Sequence, residues 1–284
     1  MEHLSILMPT YNSSVFIREQ IDSIINQSYK NWKLFIRDDG STDNTLEILN
    51  AYAQKDKRIN VFEDEDKHLG AKNSFFRLLE SVDSEYYMFC DHDDVWLPDK
   101  IGITLENYLS VKNSNRNVPI IVHTDLVVVN NDLQMLYPSF WKFSKFDLMP
   151  SFGFKFHCAY NNVTGCTMLI NRAARDLTIQ PPKSAYMHDS WISLKVSYHK
   201  GIIKYIPKAT ILYRQHKENT FGAKELPSIL SQLKNIKDIF QRNIDQIDAI
   251  NTFYRMSYVN FFLNKLYFNL FFRLKIYKFR YNKR

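Results

Sequence analysis

Glycine is scarce in this chain, with seven residues in 284. No G-x-G-x-x-G follows the first predicted strand, and G-x-x-x-x-G-K-[ST] occurs nowhere in the sequence. Such glycine-rich loops let backbone N–H groups approach the phosphates of a nucleotide. Their absence argues against a dinucleotide-dependent enzyme and against a P-loop phosphotransferase. Any bound phosphates would have to be neutralised by side chains and a metal ion.

Cysteine is also rare, because Cys90, Cys158 and Cys166 are the three in the chain. They are odd in number, widely spaced and without a C-x-x-C pair, so neither a disulfide framework nor a zinc site is indicated. The N-terminus lacks a basic region followed by a long apolar segment, and it reads as a first strand rather than a signal peptide. We therefore expect a protein of the reducing cytoplasm.

Acidic residues are absent from the tail, residues 261–284, which contains seven lysines and arginines. The other 260 residues carry 30 basic and 30 acidic side chains, so the net charge of +7 lies in this tail. Nine aromatic residues alternate with these cations, a composition that suits an anionic membrane surface. The cations are spaced too closely for a membrane-spanning helix. We predict binding at the inner face of the membrane, with packing on protein as the alternative and no nucleic-acid partner.

Strand and helix patterns alternate over the first 90 residues. The predicted strands are residues 4–8, 32–37, 59–62 and 86–90, and the helical patterns between them cover residues 15–25, 46–52 and 71–79. Four strands alternating with three helices predict an α/β fold with a doubly wound, mostly parallel sheet flanked by helices.

The rest of the chain predicts two parts. Residues 119–130 and 164–170 read as further strands, whereas the pattern from residue 227 onward is purely helical. We place a boundary near residue 222, between a domain of residues 1–222 and a helical, basic and aromatic extension of residues 223–284. Apolar residues at helical spacing within 226–258 could pair two subunits in a homodimer, and packing on the same domain is the alternative.

Polar side chains follow three of the predicted strands, at the end where open α/β sheets bind their ligands. The clusters are residues 10–12 after the first strand, Asp38 and Asp39 after the second, and Asp91, Asp93 and Asp94 after the fourth. Because the carboxyl ends of parallel strands share one edge of the sheet, we expect these clusters to converge.

The three carboxylates at residues 91–94 repel one another unless a cation, a proton or solvent relieves them. Carboxylate oxygens suit Mg²⁺ or Mn²⁺, which proteins often bind together with the phosphates of a substrate. A solvated turn is the default interpretation of this spacing, but its position directly after an apolar strand favours a metal and diphosphate site.

Six motifs occur in an order that resembles glycosyltransferase family 2, the inverting class with a GT-A nucleotide-sugar-binding fold. They are MPTYN at 8–12, DDGSTD at 38–43, CDHDDVW at 90–96, NVTGC at 162–166, HDSW at 188–191 and YRQH at 213–216. The pattern is most similar to rhamnosyltransferase-like bacterial members that build surface polysaccharides.

The resemblance implies roles for the residues that match its motifs. Thr10, Tyr11 and Asp39 would contact the base and ribose of the donor, with Asp38 beside them.

Asp91 and Asp93 would bind the metal ion and the sugar nucleotide, and Asp93 is favoured as the direct ligand of the ion. Asp94 would lie behind Asp93. Asp189 matches the catalytic base, and His216 matches a residue that closes over the diphosphate or completes the metal shell.

Two of these residues also have simpler interpretations. Asp189 precedes an apolar helical pattern and could cap that helix, and His216 could be an exposed loop histidine. Gly165 and Cys166 are expected near the acceptor.

The resemblance therefore implies a metal-dependent inverting glycosyltransferase that uses Mn²⁺ or Mg²⁺. It would move a sugar from a nucleotide-diphosphate donor to a lipid-linked or growing polysaccharide acceptor. The favoured donor is dTDP-L-rhamnose, and a UDP-hexose is the alternative. Two alternatives stay open: an inactive scaffold of the same fold at the membrane surface, and a sugar-nucleotide pyrophosphorylase. The second is disfavoured because its glycine-rich N-terminal loop is missing here.

Overall fold

The structure, a computed structural model, describes residues 4–62, 64–112, 117–144, 153–216 and 236–273. Its strands are β1 (Leu4–Thr10), β2 (Trp32–Asp38), β3 (Ile59–Phe62), β4 (Tyr86–Phe89), β5 (Val95–Trp96), β6 (Ile120–Val129), β7 (Met135–Tyr137), β8 (Leu169–Asn171) and β9 (Ile202–Arg214). Its helices are α1 (Ile17–Ile25), α2 (Thr45–Lys55), α3 (Gly70–Ser81), α4 (Lys100–Leu109), α5 (Phe140–Phe143), α6 (Phe154–Ala159), α7 (Arg172–Asp176), α8 (His188–Tyr198), α9 (Ile236–Asn251) and α10 (Tyr258–Arg273).

One sheet runs through the described residues, with the strand order β3-β2-β1-β4-β8-β6-β9-β5 and β7 paired to β6. Strands β3, β2, β1 and β4 are parallel to one another, and β6 is parallel to β9. Strand β8 runs antiparallel between β4 and β6, and β5 runs antiparallel to β9. The predicted α/β class, with a doubly wound sheet flanked by helices, is confirmed.

The first half alternates strand and helix as the hydrophobic pattern predicted. Every residue of β1 is buried, as expected for a strand that helices cover on both faces. Helix α1 buries Ile17, Ile21 and Ile24, which lie on one face because their spacing is four and then three residues.

The register of the parallel strands brings the polar clusters together. Thr10 pairs with Asp38 across β1 and β2, and Leu7 pairs with Phe89 across β1 and β4. The residues that follow these strands therefore lie at one edge of the sheet. This is the edge at which the polar clusters were expected to converge.

The segment predicted as a strand at 164–170 is different. It begins with a 3₁₀ turn, Gly165–Thr167, and only then continues into β8. The turn is closed by the N–H and the hydroxyl of Thr167, which donate to the carbonyl of Thr164 at 3.0 and 2.7 Å. Alternation of apolar residues did not reveal this side-chain bond, so the predicted strand was too long at its start.

The helical extension packs on the α/β domain where it is described. Ile247 and Ile250 of α9 are buried in the same apolar cluster as Trp191, and Phe268 of α10 contacts Phe156 of α6 with ring centroids 5.3 Å apart. Phe240 of α9 is exposed. The boundary predicted near residue 222 lies outside the described residues, and the homodimer stays a prediction. No helix of the described part is both long and apolar enough to cross a membrane.

Candidate active site

A cavity of about 690 Å³ opens at the carboxyl edge of the sheet. Its wall includes residues from each polar cluster: Thr10, Tyr11, Asp39, Asp91 and His216. A volume of this size is typical of a site for a small organic ligand. The cavity thus collects most of the side chains that the sequence predicted for the donor site.

Asp38 has a different position. Its carboxylate accepts hydrogen bonds from the hydroxyls of Thr10 and Ser41 at 3.0 and 2.6 Å, and from the backbone N–H of Ser41 at 2.8 Å. It is not among the residues that line the cavity. Asp38 therefore holds the turn around Gly40, whose φ of +89° is a conformation that favours glycine.

Asp39 faces the cavity as a buried, hydrogen-bonded carboxylate. It accepts from Arg37 Nη1 at 2.6 Å and from the N–H groups of Leu69 and Gly70 at 2.8 Å each. Burial raises the pKa of Asp39, but the arginine and the two N–H groups outweigh it, so the pKa falls below its usual range. Asp39 is consequently a fixed, ionised hydrogen-bond acceptor.

Arg37 was missed by the sequence reasoning. It is fully buried and also binds Asp64 at 2.9 Å and the hydroxyl of Ser74 at 2.9 Å. The strand pattern gave no signal for it, because β2 also contains Lys33, which alternates with apolar residues in the same way and is exposed.

His216 lines the cavity, and its Nε2 lies 2.8 Å from Oδ2 of the buried Asp93. Burial opposes ionisation of Asp93, but the bond to His216 and the nearby His92 lower its pKa overall. The ring of His216 packs on Phe16 with centroids 4.8 Å apart. His216 is therefore held against the carboxylate cluster rather than lying free in a loop.

Asp91 lines the cavity. Burial, followed by the charges of Asp93 and Asp189, raises the pKa of Asp91 to about 7. The structure thus brings Asp189 and His216, which are distant in sequence, to the motif that contains Asp91 and Asp93.

Asp94 is turned away from the cavity. Its Oδ1 accepts from the N–H of Arg214 at 3.1 Å, and burial followed by the charges of Asp93 and Asp91 raises its pKa well above the usual value. Carboxylate oxygens of Asp91 and Asp94 and the thiol of Cys166 all lie within 4.8 Å of one another. Cys166 is therefore next to the carboxylates.

Lys100, at the start of α4, is completely buried near this group. Its Nζ lies 3.5 Å from the carbonyl of Thr167 and 4.6 Å from the centre of the Trp96 ring. Burial lowers the pKa of Lys100 to about 8, while nearby Cys166, Cys90 and Asp94 act to raise it. The ammonium form therefore still predominates at neutral pH. Sequence reasoning missed this residue because a lysine after a proline turn normally lies in solvent.

Asp189 lies in the first turn of α8, where its Oδ1 accepts from the N–H of Ser190 at 2.6 Å. Burial raises its pKa to about 6, although the N–H groups of Ser190 and Gly165 act in the opposite direction. The N-cap of α8 is Met187, without a side-chain cap bond, so the interpretation of Asp189 as the helix cap is wrong.

Solved structures with a similar fold are glycosyltransferases. The mannosyltransferase PcManGT from Pyrobaculum calidifontis, in complex with GDP-Man and Mn²⁺, has a TM-score of 0.61 and 15% identity, covering 96% of this chain and 70% of its own. S. aureus TarS 1–349 in complex with UDP has a TM-score of 0.58 and 17% identity, covering 95% of this chain and 72% of its own. The fold is therefore the GT-A fold of glycosyltransferases.

Sequence comparison narrows this class to a family. The model described as glycosyl transferase family 2 matches residues 5–170. The dTDP-rhamnosyl transferase RfbG of Shigella flexneri is 32% identical over 230 residues, covering 76% of this chain and 74% of that protein. The putative teichuronic acid biosynthesis glycosyltransferase TuaG of Bacillus subtilis is 37% identical over 103 residues, covering 36% and 40%. The chain belongs to glycosyltransferase family 2 and is a glycosyltransferase.

Proposed function

We propose that this enzyme is a metal-dependent inverting glycosyltransferase that moves a sugar from a nucleotide-diphosphate donor to a lipid-linked or growing surface-polysaccharide acceptor. One observation carries the proposal. A single cavity is lined by the ionised Asp39, by Asp91 and by His216, and the charge of Asp189 acts on Asp91. These residues offer an acceptor for a nucleotide base, ligands for a metal ion with a diphosphate, and a carboxylate for the reacting sugar.

The nucleotide would bind at the Asp39 side. Asp39 can accept an N–H of the base, while Thr10 and Tyr11 border the same part of the cavity. The Tyr11 ring lies 5.9 Å from His68 in an edge-to-face arrangement, and both residues line the cavity. Asp38 would act on this site through the turn that it holds.

The favoured donor is dTDP-L-rhamnose, and a UDP-hexose is the alternative. The first is supported by the similarity to a dTDP-rhamnosyl transferase, and the second by the similar fold of TarS in complex with UDP-GlcNAc. Similarity to RfbG and TuaG also supports a role in cell-surface polysaccharide biosynthesis.

The residues present fit a divalent cation, Mn²⁺ or Mg²⁺. Asp93 and His216 present oxygen and nitrogen atoms 2.8 Å apart, and Asp91 and His216 reach the cavity. A carboxylate-rich set with one imidazole suits these ions. When bound, such an ion would neutralise negative charge on the departing nucleoside diphosphate.

Asp189 is proposed as the base that removes the proton of the acceptor hydroxyl. Its pKa of about 6 leaves it mostly ionised at neutral pH, yet higher than that of an ordinary aspartate, as a base requires. A single displacement opposite the leaving diphosphate would invert the anomeric configuration. The acceptor would enter on the side of Gly165 and Asp189.

The enzyme would work at the inner face of the membrane, bound through the C-terminal tail. Seven apolar or aromatic side chains on α10 are exposed at helical spacing: Tyr258, Val259, Phe262, Leu263, Leu266, Tyr267 and Leu270. Lys265 is the one charged residue of 258–270, and it donates to Asn243 of α9. The remaining six cations of the tail follow in 273–284. An apolar helix face followed by cations suits an anionic lipid surface.

Donor binding tests the catalytic proposal. We would measure binding and hydrolysis of dTDP-L-rhamnose and a panel of UDP-sugars with Mn²⁺, with Mg²⁺ and with EDTA. Wild-type enzyme should select one donor in a metal-dependent manner, and Asp93→Asn should lose this selection. The matched control is Asp248→Asn, because Asp248 is an exposed carboxylate of α9. Absence of binding to every donor with either metal would favour the inactive scaffold.

Vesicle flotation tests the membrane proposal. Leu266→Glu should reduce binding to anionic phospholipid vesicles at least tenfold, because it places a negative charge on the apolar face of α10. Leu109→Glu is the matched control, since Leu109 on α4 is 54% exposed and Leu266 is 55% exposed. Equal binding of both variants, or equal binding to neutral and anionic vesicles, would contradict the proposal.

A further inference from the structure

Arg214 is the last residue of β9, and its side chain is 2% exposed. A buried guanidinium needs acceptors for its N–H groups, because an unpaired charge in the interior is costly. The acceptors come from three segments that are far apart in sequence. Nε donates to the backbone carbonyl of Asp93 at 2.8 Å, Nη1 donates to the carbonyl of Asn131, and Nη2 donates to the carboxylate of Glu19 in α1.

The backbone of Arg214 contacts the same carboxylate motif. Its N–H donates to Oδ1 of the buried Asp94 at 3.1 Å. Arg214 therefore contacts two consecutive residues of D-x-D-D, at the carbonyl of Asp93 and at the carboxylate of Asp94. Because both contacts come from one residue, they fix the backbone at Asp93 and the direction in which its side chain leaves that backbone.

His216 follows two residues after Arg214 and holds the side chain of Asp93. Its Nε2 lies 2.8 Å from Asp93 Oδ2, and it lines the cavity, whereas Asp93 is 7% exposed. Arg214 and His216 also pack on one ring. The centre of the Phe16 ring lies 4.7 Å from Arg214 Cζ and 4.8 Å from the centre of the His216 ring. The two residues thus share Asp93 and Phe16 as partners.

We propose that Arg214 is the positioning residue of the candidate metal site, and that it fixes Asp93 and His216 relative to each other before an ion or a diphosphate binds. Residues that hold metal ligands in place reduce the reorganisation that binding requires. Arg214 is not among the residues that line the cavity, so its effect passes through Asp93 and His216. This role deepens the metal-dependent function proposed above and rests on it.

Lysine at this position would keep the charge and lose the geometry. The guanidinium of Arg214 reaches two carbonyls and a carboxylate with three different nitrogen atoms. An ammonium group is a single nitrogen at the end of a flexible chain, and it cannot reproduce this fork. Arg214→Lys therefore reports on the lost hydrogen bonds rather than on a change in net charge.

Manganese binding tests the proposal, because the paramagnetic signal of free Mn²⁺ falls when the ion is bound. Wild type and Arg214→Lys would be titrated with Mn²⁺ alone, with dTDP and with UDP. The variant should bind Mn²⁺ about 10-fold to 100-fold more weakly. Arg175→Lys is the matched control, because Arg175 of α7 also donates to two carbonyls and a carboxylate but does not line the cavity. Equal Mn²⁺ affinities in the two variants would overturn the proposal.

Steady-state rates distinguish a positioning residue from a ligand. Excess Mn²⁺ should restore most of kcat in Arg214→Lys, because the ligands are present and only displaced. It should restore little of kcat in Asp93→Asn, because a ligand has been lost. A low kcat in Arg214→Lys that excess Mn²⁺ does not raise would contradict the positioning role.

Glu19→Gln keeps the test decisive if Arg214→Lys does not fold. It removes the charge that holds Nη2 of Arg214, and the side chain of Glu19 is 54% exposed, so the fold should tolerate the change. Its Mn²⁺ affinity should fall by about 2-fold to 5-fold. Glu47→Gln is the matched control, because both glutamates lie in the first turn of a helix and interact with its dipole. Unchanged Mn²⁺ affinity in Glu19→Gln would refute the role of Arg214.

The two proposals fail in distinguishable ways. If wild-type protein binds neither Mn²⁺ nor Mg²⁺, with and without dTDP or UDP, the metal dependence of the proposed function is wrong, and the role of Arg214 falls with it. If the wild type binds Mn²⁺ and Arg214→Lys binds it equally well, the role of Arg214 alone is wrong.

Discussion

Arg37 and Asp39 illustrate how one buried side chain prepares another for binding. The guanidinium of Arg37 is enclosed on all sides, and one of its N–H groups holds Asp39 Oδ1 at 2.6 Å. Leu69 and Gly70 donate to the same carboxylate from the start of α3. The acceptor that faces the cavity is thus oriented before any ligand arrives.

Replacement of Arg37 by methionine should weaken donor binding by about 10-fold to 100-fold, with a smaller effect on kcat. The reason is that Asp39 loses a charge-assisted bond worth about 1.5–3 kcal/mol. Calorimetry with the nucleoside diphosphate measures this effect. Arg77→Met is the matched control, because Arg77 shares Asp64 with Arg37 at 3.1 Å but has no bond to Asp39. Equal losses in the two variants would contradict a specific role for Arg37.

Asp189→Asn should lower kcat by about 10²-fold to 10⁴-fold while donor affinity stays near that of the wild type. The amide keeps the size of the side chain and cannot take a proton. In the wild type, activity should rise with pH through about 6, because the base must be ionised and its pKa is about 6. A pH profile of kcat/KM for both proteins checks this prediction. An Asn variant with unchanged kcat would remove Asp189 from the mechanism.

At the scale of elements, the 3₁₀ turn Gly165–Thr167 brings the backbone against the start of α8. A Cβ on Gly165 would lie 2.5 Å from His188 Nε2, and the His188 ring cannot easily move because it is held between Phe75 and Phe89, with centroids 4.0 and 5.0 Å away. The position therefore needs glycine for space, and Asp189 follows directly in the chain.

Gly165→Ala should lower both the thermal stability and kcat, because a shift of His188 moves Asp189 with it. Gly102→Ala is a control with the opposite expected sign. Its nearest neighbour would be Ser28 Oγ at 3.9 Å, and alanine favours a helix interior by about 0.5–1 kcal/mol. Calorimetric unfolding and steady-state rates measure both effects. Wild-type kcat in Gly165→Ala would show that α8 tolerates the displacement.

For the whole molecule, the interior contains three histidines whose pKa values are lowered by burial, to about 3 for His123, about 4 for His157 and about 3 for His188. The unfolded chain binds their protons near pH 6.5, whereas the folded chain does not. The stability that these groups confer is therefore present above pH 6.5 and is lost as the pH falls. Asp91 and Asp189 act in the opposite direction, since their pKa values are raised.

A variant isolates one of these contributions. His157→Leu removes one proton-binding group, so its unfolding free energy should fall less steeply than that of the wild type between pH 6 and pH 4.5. The expected difference in slope is about 1.4 kcal/mol per pH unit, the value for one proton. Urea unfolding at several pH values measures it. Parallel curves for the two proteins would mean that His157 is protonated in the folded state.

The order of strands and helices up to residue 90 was predictable because each element follows from a local hydrophobic period. The polar clusters at the strand ends were predictable for the same reason, since a parallel sheet places those ends together. The 3₁₀ turn at Gly165 and the short strand β5 were not, because a side-chain bond and a two-residue pairing leave almost no periodic signal.

The sequence by itself determined the class of fold, the motif order and the presence of carboxylates beside a buried strand, because these depend on neighbouring residues. Tertiary structure decided how those carboxylates differ. Asp39 is held ionised by a buried arginine, Asp93 is paired with His216, and the buried Asp94 accepts from the N–H of Arg214. Burial and charge at each position depend on strands β2, β4 and β9, which only folding brings together.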